Sequence, residues 1–249
     1  MGGTGAAAGQ GPWTLVGRKR DLDELSEALG QAAAGHGSLV LVAGEPGIGK
    51  TRLADELAAR ARSLGAGVLW GTCWEGDGAP AFWPWIQALR GHAARRDPSV
   101  LRRELGDGAA EVARLVPGLA GRIGELPPSP ALEPDQARFR LFDAVAGLLG
   151  RAGDTEPLLL VLDDLHWADR SSLSLLRFVA RELRDRRVLV VGTYRDVELD
   201  RSPSAEPLAR LAGRARCVVL GGLARDEVAE LLALTGGTRP DAELAAAVH

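Results

Sequence analysis

The sequence predicts an α/β fold in which a parallel β-sheet is covered by helices on both faces. Apolar runs of β-type residues alternate with amphipathic helical stretches along most of the chain. The runs SLVLVAG, PLLLVLDD and RVLVVGTY are apolar almost throughout, as in strands that are buried on both faces. A glycine-rich turn separates the first of these runs from the helix that follows it. Alternating strands and helices of this kind form parallel sheets.

The predicted elements can be placed in order along the chain. Residues 1–12 are rich in glycine and alanine, and we expect them to be disordered. A core domain is expected over residues 13–223, with a helical insert over about residues 83–134 that ends in the proline-rich stretch LPPSPALEP. Helical patterns alone follow this core, which predicts a small helical appendage over residues 224–249, ending in PDAELAAAVH. Within the core, helices are predicted at residues 21–34, from Thr51, and at 135–149 and 169–184, and strands at 38–44, 67–73, 157–164, 187–194 and 216–223.

The helix predicted at residues 135–149 shows how a buried face is assigned. Phe139, Phe142, Val145 and Leu149 recur at spacings of three and four residues. Side chains at these spacings share one face of a helix. We therefore expect all four side chains in the core.

The composition is that of an ordinary globular domain and argues against several classes of protein. The 249 residues are 46% hydrophobic and 25% charged, and their formal net charge is −3. Because no overall positive charge is present, we expect no direct nucleic-acid binding by this segment. The two cysteines, Cys73 and Cys217, have no metal-type spacing and suit a reducing compartment. No apolar run approaches the roughly 20 residues of a membrane span, and the N-terminus is unlike a signal peptide, so a cytoplasmic protein without membrane contact is expected.

The glycine-rich turn carries a phosphate-binding motif. GEPGIGKT, residues 44–51, fits the pattern G-x-x-x-x-G-K-[ST] between a predicted strand and a predicted helix. Glycines let successive backbone N–H groups face one anion, and the start of the helix adds its positive end. Lys50 can reach the terminal phosphates, and the Thr51 hydroxyl can ligate Mg²⁺. Lysine occurs only at Lys19 and Lys50, which argues against an accidental match. The residues predicted to bind the nucleotide here are Gly44, Glu45, Pro46, Gly47, Ile48, Gly49, Lys50, Thr51 and Arg52.

A second motif stands at the end of the apolar run LLLVLDD. A phosphate-binding loop of this kind works with another strand whose end presents a carboxylate to the Mg²⁺ ion. Asp163 fits this role, as the metal-side acid that acts together with Thr51. The plainer alternative is that Asp163 and Asp164 form the solvated polar end of a buried strand. The presence of the phosphate-binding loop favours the metal site.

Six segments together resemble a known family: LVGRKRDLDEL, GEPGIGKT, APAFWPWIQALR, QARFRLFDAV, LVLDDLHWAD and VLVVGTYRD. From about Trp13 to the C-terminus, the chain resembles the bacterial AAA-type ATPase module of the STAND class, which is related to the origin-recognition ATPases. Such modules occur at the N-terminus of large ATP-binding LuxR-type regulators. The resemblance implies a P-loop NTPase fold with five parallel strands in the order 5-1-4-3-2. It also implies ATP or ADP with Mg²⁺ as ligands.

The resemblance assigns roles to further residues. Val16, Gly17 and Arg18 match the segment that lies beside the adenine. Asp164 stands where related ATPases hold the carboxylate that orients the attacking water. Arg195 matches the arginine that senses the γ-phosphate, and Thr193 occupies the polar position just before it. The catalytic set that the resemblance implies is Lys50, Asp164 and Arg195.

The resemblance also implies partners and a function. The helical appendage matches the start of a lid that the sequence does not complete, so downstream regulatory domains are expected outside this chain. An arginine finger acting in trans, from Arg210, Arg214 or Arg216, would require a homo-oligomer. The leading hypothesis is a slowly hydrolysing, nucleotide-controlled switch in a LuxR-type transcriptional regulator. The alternatives are an ATPase that acts directly in DNA loading or remodelling and, less well supported, a P-loop kinase of a small molecule.

Several residues near the motifs allow a structural and a functional interpretation. His166 could be a metal ligand, but no second ligand has suitable spacing, and a hydrogen bond near the strand end is favoured. Trp167 is expected to pack under the next helix, which Asp169 is expected to cap. An aromatic cage and packing of the insert are both open for a further set of tryptophans, and packing is favoured: Trp70, Trp74, Trp83 and Trp85.

Overall fold

The computed structural model describes residues 15–76, 78–124, 133–196 and 204–236. Three sequence predictions lie outside these ranges: the segment 1–12, most of the proline-rich stretch and the last helix, PDAELAAAVH. The described strands are β1 (Ser38–Ala43), β2 (Gly67–Thr72), β3 (Leu158–Asp163), β4 (Val188–Tyr194) and β5 (Arg216–Val219). The described helices are α1 (Lys19–Ala33), α2 (Lys50–Ser63), α3 (Trp83–Arg95), α4 (Pro98–Leu105), α5 (Ala109–Leu115), α6 (Leu119–Ile123), α7 (Pro134–Thr155), α8 (Arg170–Glu182), α9 (Ala205–Ala212) and α10 (Arg225–Gly236).

The five strands form one parallel sheet in the order β2-β3-β4-β1-β5. This is the predicted order read from the opposite end, so the predicted fold class and topology are confirmed. Because all neighbouring strands are parallel, their carboxyl ends meet at one edge of the sheet. Ligands of open α/β sheets bind at that edge.

The two middle strands of the sheet explain the apolar runs of the sequence. All six residues of β3 and all seven residues of β4 are buried. Helices cover both faces of such strands, so alternation of polar and apolar residues is absent. Asp163 and Thr193 are the polar exceptions in these two strands, and each lies near a carboxyl end.

The helix α7 corrects one prediction about the core. Phe142, Val145 and Leu149 are buried as expected, but Phe139 is 61% exposed. Phe139 lies in the first turns of the helix, and its ring meets the edge of Phe178 at a centroid distance of 5.6 Å. A buried stripe therefore begins one turn later than the spacing of apolar residues predicts.

The chain divides into two compact units. The larger unit, Asp21–Gly221, contains the whole sheet. In the smaller unit, the described residues are 15–20 and 222–236, which include α10. A methyl group on Gly17 would come within 2.6 Å of the side chains of Leu223 and Glu227, so this turn requires glycine. In the part of the chain that the structure describes, no helix has the length and apolar composition to cross a membrane.

Candidate nucleotide-binding site

The predicted phosphate-binding loop connects β1 to α2. Gly47 and Gly49 have φ angles of 77° and 103°, a region in which a side chain is strained. Gly49 is also the residue before the first turn of α2. A glycine-rich loop that leads into the first turn of a helix forms the type of concave site that binds phosphate through backbone N–H groups. Residues Glu45, Pro46 and Gly47 are exposed at the rim.

Lys50 lies inside the curve of the loop. It is 6% exposed, and its Nζ donates hydrogen bonds to the carbonyl oxygens of Gly44 and Glu45, at 2.9 and 2.8 Å. Burial lowers the pKa of Lys50, while the charge of Asp164 acts in the opposite direction. The ammonium is therefore held next to the loop by backbone acceptors that a bound phosphate could replace.

Asp163 ends β3 and contacts the start of α2. Its carboxylate accepts a hydrogen bond from the Thr51 hydroxyl, at 3.0 Å to Oδ2 and 3.2 Å to Oδ1. The carboxylate is 3% exposed, and burial raises the pKa of Asp163. These contacts place the loop and the acid at the same edge of the sheet, as the sequence predicted.

The oxygen atoms of Thr51 and Asp163 fit a magnesium ion. Mg²⁺ takes oxygen ligands at about 2.1 Å in octahedral geometry, so two adjacent ligands lie about 3.0 Å apart. The hydroxyl of Thr51 and Oδ2 of Asp163 have this separation. A hydroxyl and a carboxylate are also among the ligands that this hard cation prefers. The residues present therefore suit the predicted ion.

Thr193 connects the two acids, a role that the sequence did not reveal. Strand β4 lies between β1 and β3, and its fully buried Thr193 donates to Oδ1 of Asp163 at 2.5 Å. The same hydroxyl oxygen accepts a hydrogen bond from the backbone N–H of Asp164 at 2.9 Å. The available signal was a hydroxyl in an otherwise apolar strand, because buried polar groups need partners.

Asp164 follows β3 and differs from Asp163 in its backbone conformation and in its exposure to water. Its φ angle of 59° is unusual for a residue other than glycine and is found mostly for Asn, Asp and His. Its side chain is 31% exposed, and Oδ1 lies 3.9 Å from Nδ1 of the buried His166. The carboxylate is therefore accessible to water next to the loop. Strained residues of this type cluster at functional sites.

Arg195 follows β4 at the same edge, near the loop. Its positive charge adds to the lowering of the Lys50 pKa, after the larger effect of burial, which shows that the two cations are close. Asp196 acts on Lys50 in the opposite direction, and the sequence did not mark Asp196 as a site residue. The role of Arg195 toward a γ-phosphate stays a prediction.

Arg52 and the segment before α1 were also predicted to bind the nucleotide. Arg52 lies in the first turn of α2, exposed and 3.9 Å from Glu56. Val16, Gly17 and Arg18 precede the body of α1 and belong to the smaller unit, so their contact with adenine stays a prediction.

Two predictions about the neighbouring helices have clear outcomes. Asp169 caps α8 as predicted: its Oδ1 accepts hydrogen bonds from the backbone N–H groups of Ser171 and Ser172. Trp167 is 39% exposed, and the prediction that it packs under this helix is wrong. The three-residue turn at Leu165–Trp167 instead buries the ring of His166, which lies 5.3 Å from the indole.

Two of the tryptophans for which an aromatic cage and packing of the insert were both open differ from each other. Trp85 is fully buried and donates from Nε1 to the carbonyl oxygen of Ser172 at 3.2 Å, which agrees with packing of the insert. Trp74 is 57% exposed, so packing does not account for it.

A five-stranded parallel sheet, a phosphate-binding loop after β1 and a buried acid at the end of β3 define a P-loop NTPase domain. The chain belongs to the AAA ATPase domain family, whose model matches residues 14–191.

Individual proteins agree with this class. An uncharacterized protein of Rhizobium meliloti (strain 1021) is 28% identical over an alignment of 193 residues, which covers 73% of this chain and 18% of that protein. The crystal structure of Cdc6p from Pyrobaculum aerophilum has a TM-score of 0.52 at 19% identity, covering 91% of this chain and 51% of Cdc6p. A STAND protein with a tetratricopeptide repeat sensor from Pyrococcus horikoshii has a TM-score of 0.51 at 17% identity, covering 94% of this chain and 27% of that one. At these identities the two structures show a common fold.

Proposed function

We propose that this domain binds ATP or ADP with Mg²⁺ and hydrolyses ATP slowly, as a nucleotide-controlled switch. The observation that carries the proposal is the hydrogen-bonded chain Thr51–Asp163–Thr193 at the mouth of the phosphate-binding loop. These hydrogen bonds join the start of α2 to the ends of β3 and β4. Occupation of the loop can therefore act on three elements at once.

The proposed roles follow from the chemistry of each side chain. Lys50 and Arg195 would bind the terminal phosphate oxygens, and the guanidinium can do so with two parallel hydrogen bonds. Thr51 and Asp163 would hold the Mg²⁺ ion, which supplies positive charge to the phosphates. Asp164, accessible to water, would orient the attacking water molecule. Val16, Gly17 and Arg18 would lie beside the adenine.

The proposed context is a larger regulatory protein, in particular a LuxR-type transcriptional regulator. This chain spans 18% of its Rhizobium meliloti relative and 27% of the Pyrococcus horikoshii STAND protein. In those proteins the region similar to this chain is a small part of the whole, which supports a module that reports its nucleotide state to other domains. Sequencing the coding region downstream tests the context, since a LuxR-type helix-turn-helix is expected there.

Nucleotide binding is tested by titration of the purified protein with a fluorescent ATP analogue, with and without Mg²⁺. Lys50→Ala should abolish tight binding, because the variant loses the charge that faces the phosphates. Lys19→Ala is the matched control, since it removes the chain's other lysine and should leave the affinity unchanged. Equal affinity of wild type and Lys50→Ala would refute the proposal.

The same protein allows turnover to be measured. Catalysis of phosphoryl transfer depends on cations placed before reaction, and an arginine finger adds about 10³–10⁵ in rate where one operates. Such a finger would have to come from a second copy of this chain or from another domain. We therefore expect steady-state phosphate release by the monomer below about 1 s⁻¹, the low end of typical enzymes. Rapid release by a demonstrated monomer would contradict the switch.

A further inference from the structure

A large cleft opens at the edge of the sheet opposite the phosphate-binding loop. It has a volume of about 1380 Å³ and lies between the end of α8, the turn after α9 and the amino ends of β1 and β5. A second cavity of about 350 Å³ follows α8 toward its start. Both cavities are lined by Arg177 and Arg210, so they form one continuous groove.

The lining of this groove is strongly basic. Nine arginines and three carboxylates line the two cavities, which gives a formal charge of +6 in a chain whose net charge is −3. We call this surface the arginine groove. Its arginines come from five segments: Arg138 of α7, three residues of α8, the turn before β4, the region of α9, and Arg216 at the start of β5.

Most of these charges are not neutralised by neighbouring carboxylates. Four of the nine arginines have a carboxylate partner. Arg210, where the two cavities meet, pairs with Glu206 at 2.5 Å, and Arg216 pairs with Glu24 at 2.8 Å. Arg138 and Arg186 lie 3.3 and 4.0 Å from Asp135 and Asp154. Within the part of the chain that the structure describes, five arginines of the groove make no ion pair within 4.0 Å. They are Arg170, Arg177, Arg181, Arg184 and Arg214, and all five are exposed.

The spacing of the arginines suits an extended anion. Arg170, Arg177 and Arg181 are seven and four residues apart on α8, so they share one helical face over about 16 Å. Arg210 and Arg214 are four residues apart along the neighbouring α9 and the turn after it. A row of this length exceeds what one phosphate ion or one carboxylate can contact.

The rest of the lining distinguishes between kinds of polyanion. Among the described residues, no aromatic side chain lines either cavity, which leaves no platform for stacked bases. The leucines of the lining, Leu39, Leu173 and Leu211, are themselves buried, whereas protein partners are usually held by apolar or aromatic anchors in pockets. Guanidinium groups bind phosphate and carboxylate oxygens alike with two hydrogen bonds, so the distinction between the two rests on the missing anchors and on the length of the arginine row. The lining therefore favours a repeated phosphate over an acidic protein segment.

We propose that the arginine groove binds the phosphate backbone of a nucleic acid, without regard to base sequence. This reverses the expectation from net charge, because the charge is concentrated on one surface and compensated elsewhere. Contacts to phosphates position a protein on nucleic acid but carry no sequence information directly. The inference does not depend on nucleotide binding at the phosphate-binding loop.

The test measures the binding of a fluorescein-labelled duplex DNA of about 20 base pairs and mixed sequence to the whole chain by fluorescence anisotropy, over a series of salt concentrations. The double variant Arg177→Glu, Arg181→Glu should bind roughly tenfold or more weakly than the wild type. It should also reduce the slope of log K against log salt by about two, since each phosphate contact contributes about 0.9. The variant Arg177→Lys, Arg181→Lys keeps the charge and should retain most of the affinity.

The matched control is Arg90→Glu, Arg103→Glu, which makes the same change of charge at exposed arginines of α3 and α4. The control should bind DNA nearly as tightly as the wild type. The proposal is overturned by equal losses in both charge-reversal variants, by a wild type that does not bind DNA at low salt, or by polyglutamate binding more tightly than DNA. A changed oligomeric mass with unchanged DNA affinity would assign the groove to contacts between copies of this chain and would also overturn it. Circular dichroism of each variant confirms that it is folded.

Discussion

Asp163 and Asp164 are consecutive residues that the structure places in opposite environments. Asp163 is 3% exposed and accepts hydrogen bonds from two threonine hydroxyls, whereas the Asp164 side chain is 31% exposed. A left-handed backbone at Asp164 turns the chain between them, and Thr193 holds that turn through the Asp164 N–H. One position is thus suited to a buried cation and the other to a water molecule.

Replacement of Asp164 by asparagine should separate binding from turnover. Asparagine tolerates a positive φ angle and keeps the size of the side chain, so the change removes the charge and little else. We expect nucleotide affinity to stay within a small factor of the wild type and phosphate release to fall about 10²-fold or more, the usual contribution of a positioned acid or base. Single-turnover kinetics with labelled ATP would measure both. A loss of binding as large as that of Lys50→Ala would show that Asp164 acts on the nucleotide itself.

Replacement of Thr193 by valine should affect both stability and the use of Mg²⁺. Valine matches the shape of threonine but leaves Oδ1 of Asp163 and the N–H of Asp164 without the hydroxyl. A buried polar group that loses its partner costs about 1–3 kcal/mol, which urea unfolding can measure. We also expect a weaker dependence of nucleotide affinity on Mg²⁺. Thr193→Ser keeps the hydroxyl and should behave nearly as the wild type; valine and serine variants with the same properties would contradict the bridging role.

The helices α3 and α4 of the insert are joined by a buried charged cluster. His92 Nε2 lies 2.7 Å from Oε2 of Glu104, and the other oxygen of Glu104 lies 3.1 Å from Nε of Arg96. Arg96 extends the cluster to Glu156 after α7, at 2.7 Å. His92 and Glu104 are 4% and 2% exposed. Buried groups of this kind stabilise one arrangement of helices only while each keeps its partner.

This cluster predicts a loss of stability in acid. Burial lowers the pKa of His92 below 6.5, against the raising effect of Glu104, while Arg95 and Arg96 act with burial. The unfolded chain therefore takes up the proton first as the pH falls. Stability from this group is present above about pH 6.5 and is lost below it, by up to about 1.4 kcal/mol per pH unit. Urea unfolding at several pH values measures the slope.

The control for this slope is a matched pair of histidine variants. His92→Gln can still donate a hydrogen bond to Glu104 but cannot take up a proton, so the acid slope should become shallower. His36→Gln replaces an exposed histidine and should leave the slope unchanged. An identical slope in wild type and His92→Gln would assign the acid sensitivity to other groups.

For the whole molecule, the fold and the centre of the site could be predicted from the sequence because both depend on local patterns. Continuous apolar runs indicate buried parallel strands, and the GEPGIGKT segment has a backbone shape that its glycines determine. Asp163 could be placed beside the loop, because a strand end and a phosphate-binding loop imply one edge; its role toward Mg²⁺ stays a prediction. Thr193 was recognised as a polar position, but its bridging role could not be predicted, because its partners Asp163 and Asp164 lie at the end of another strand.

The two wrong predictions of burial and the unpredicted arginine groove all depend on which segments the fold brings together. Phe139 follows the apolar spacing of α7, but the neighbours that would cover it are not encoded in helical spacing. Trp167 lies in a short turn, for which no spacing rule predicts burial. The arginines of the groove come from segments between Arg138 and Arg216, and net charge averages them with carboxylates elsewhere. Sequence composition reports the sum of charges, whereas binding depends on where the fold collects them.

The position of β1 in the sheet has a consequence for the synthesis of this protein. The two neighbours of β1 are β4 and β5, and Leu39 pairs with Val190, about 150 residues later in the chain. At about 5–20 residues per second, a ribosome needs roughly 8–30 s to make that stretch. During this interval the newly made SLVLVA segment has neither strand partner. The hydrogen-bonded chain Thr51–Asp163–Thr193 can be completed only after β4 has emerged. Until then, an apolar segment that is buried in the finished sheet is left without its strand partners.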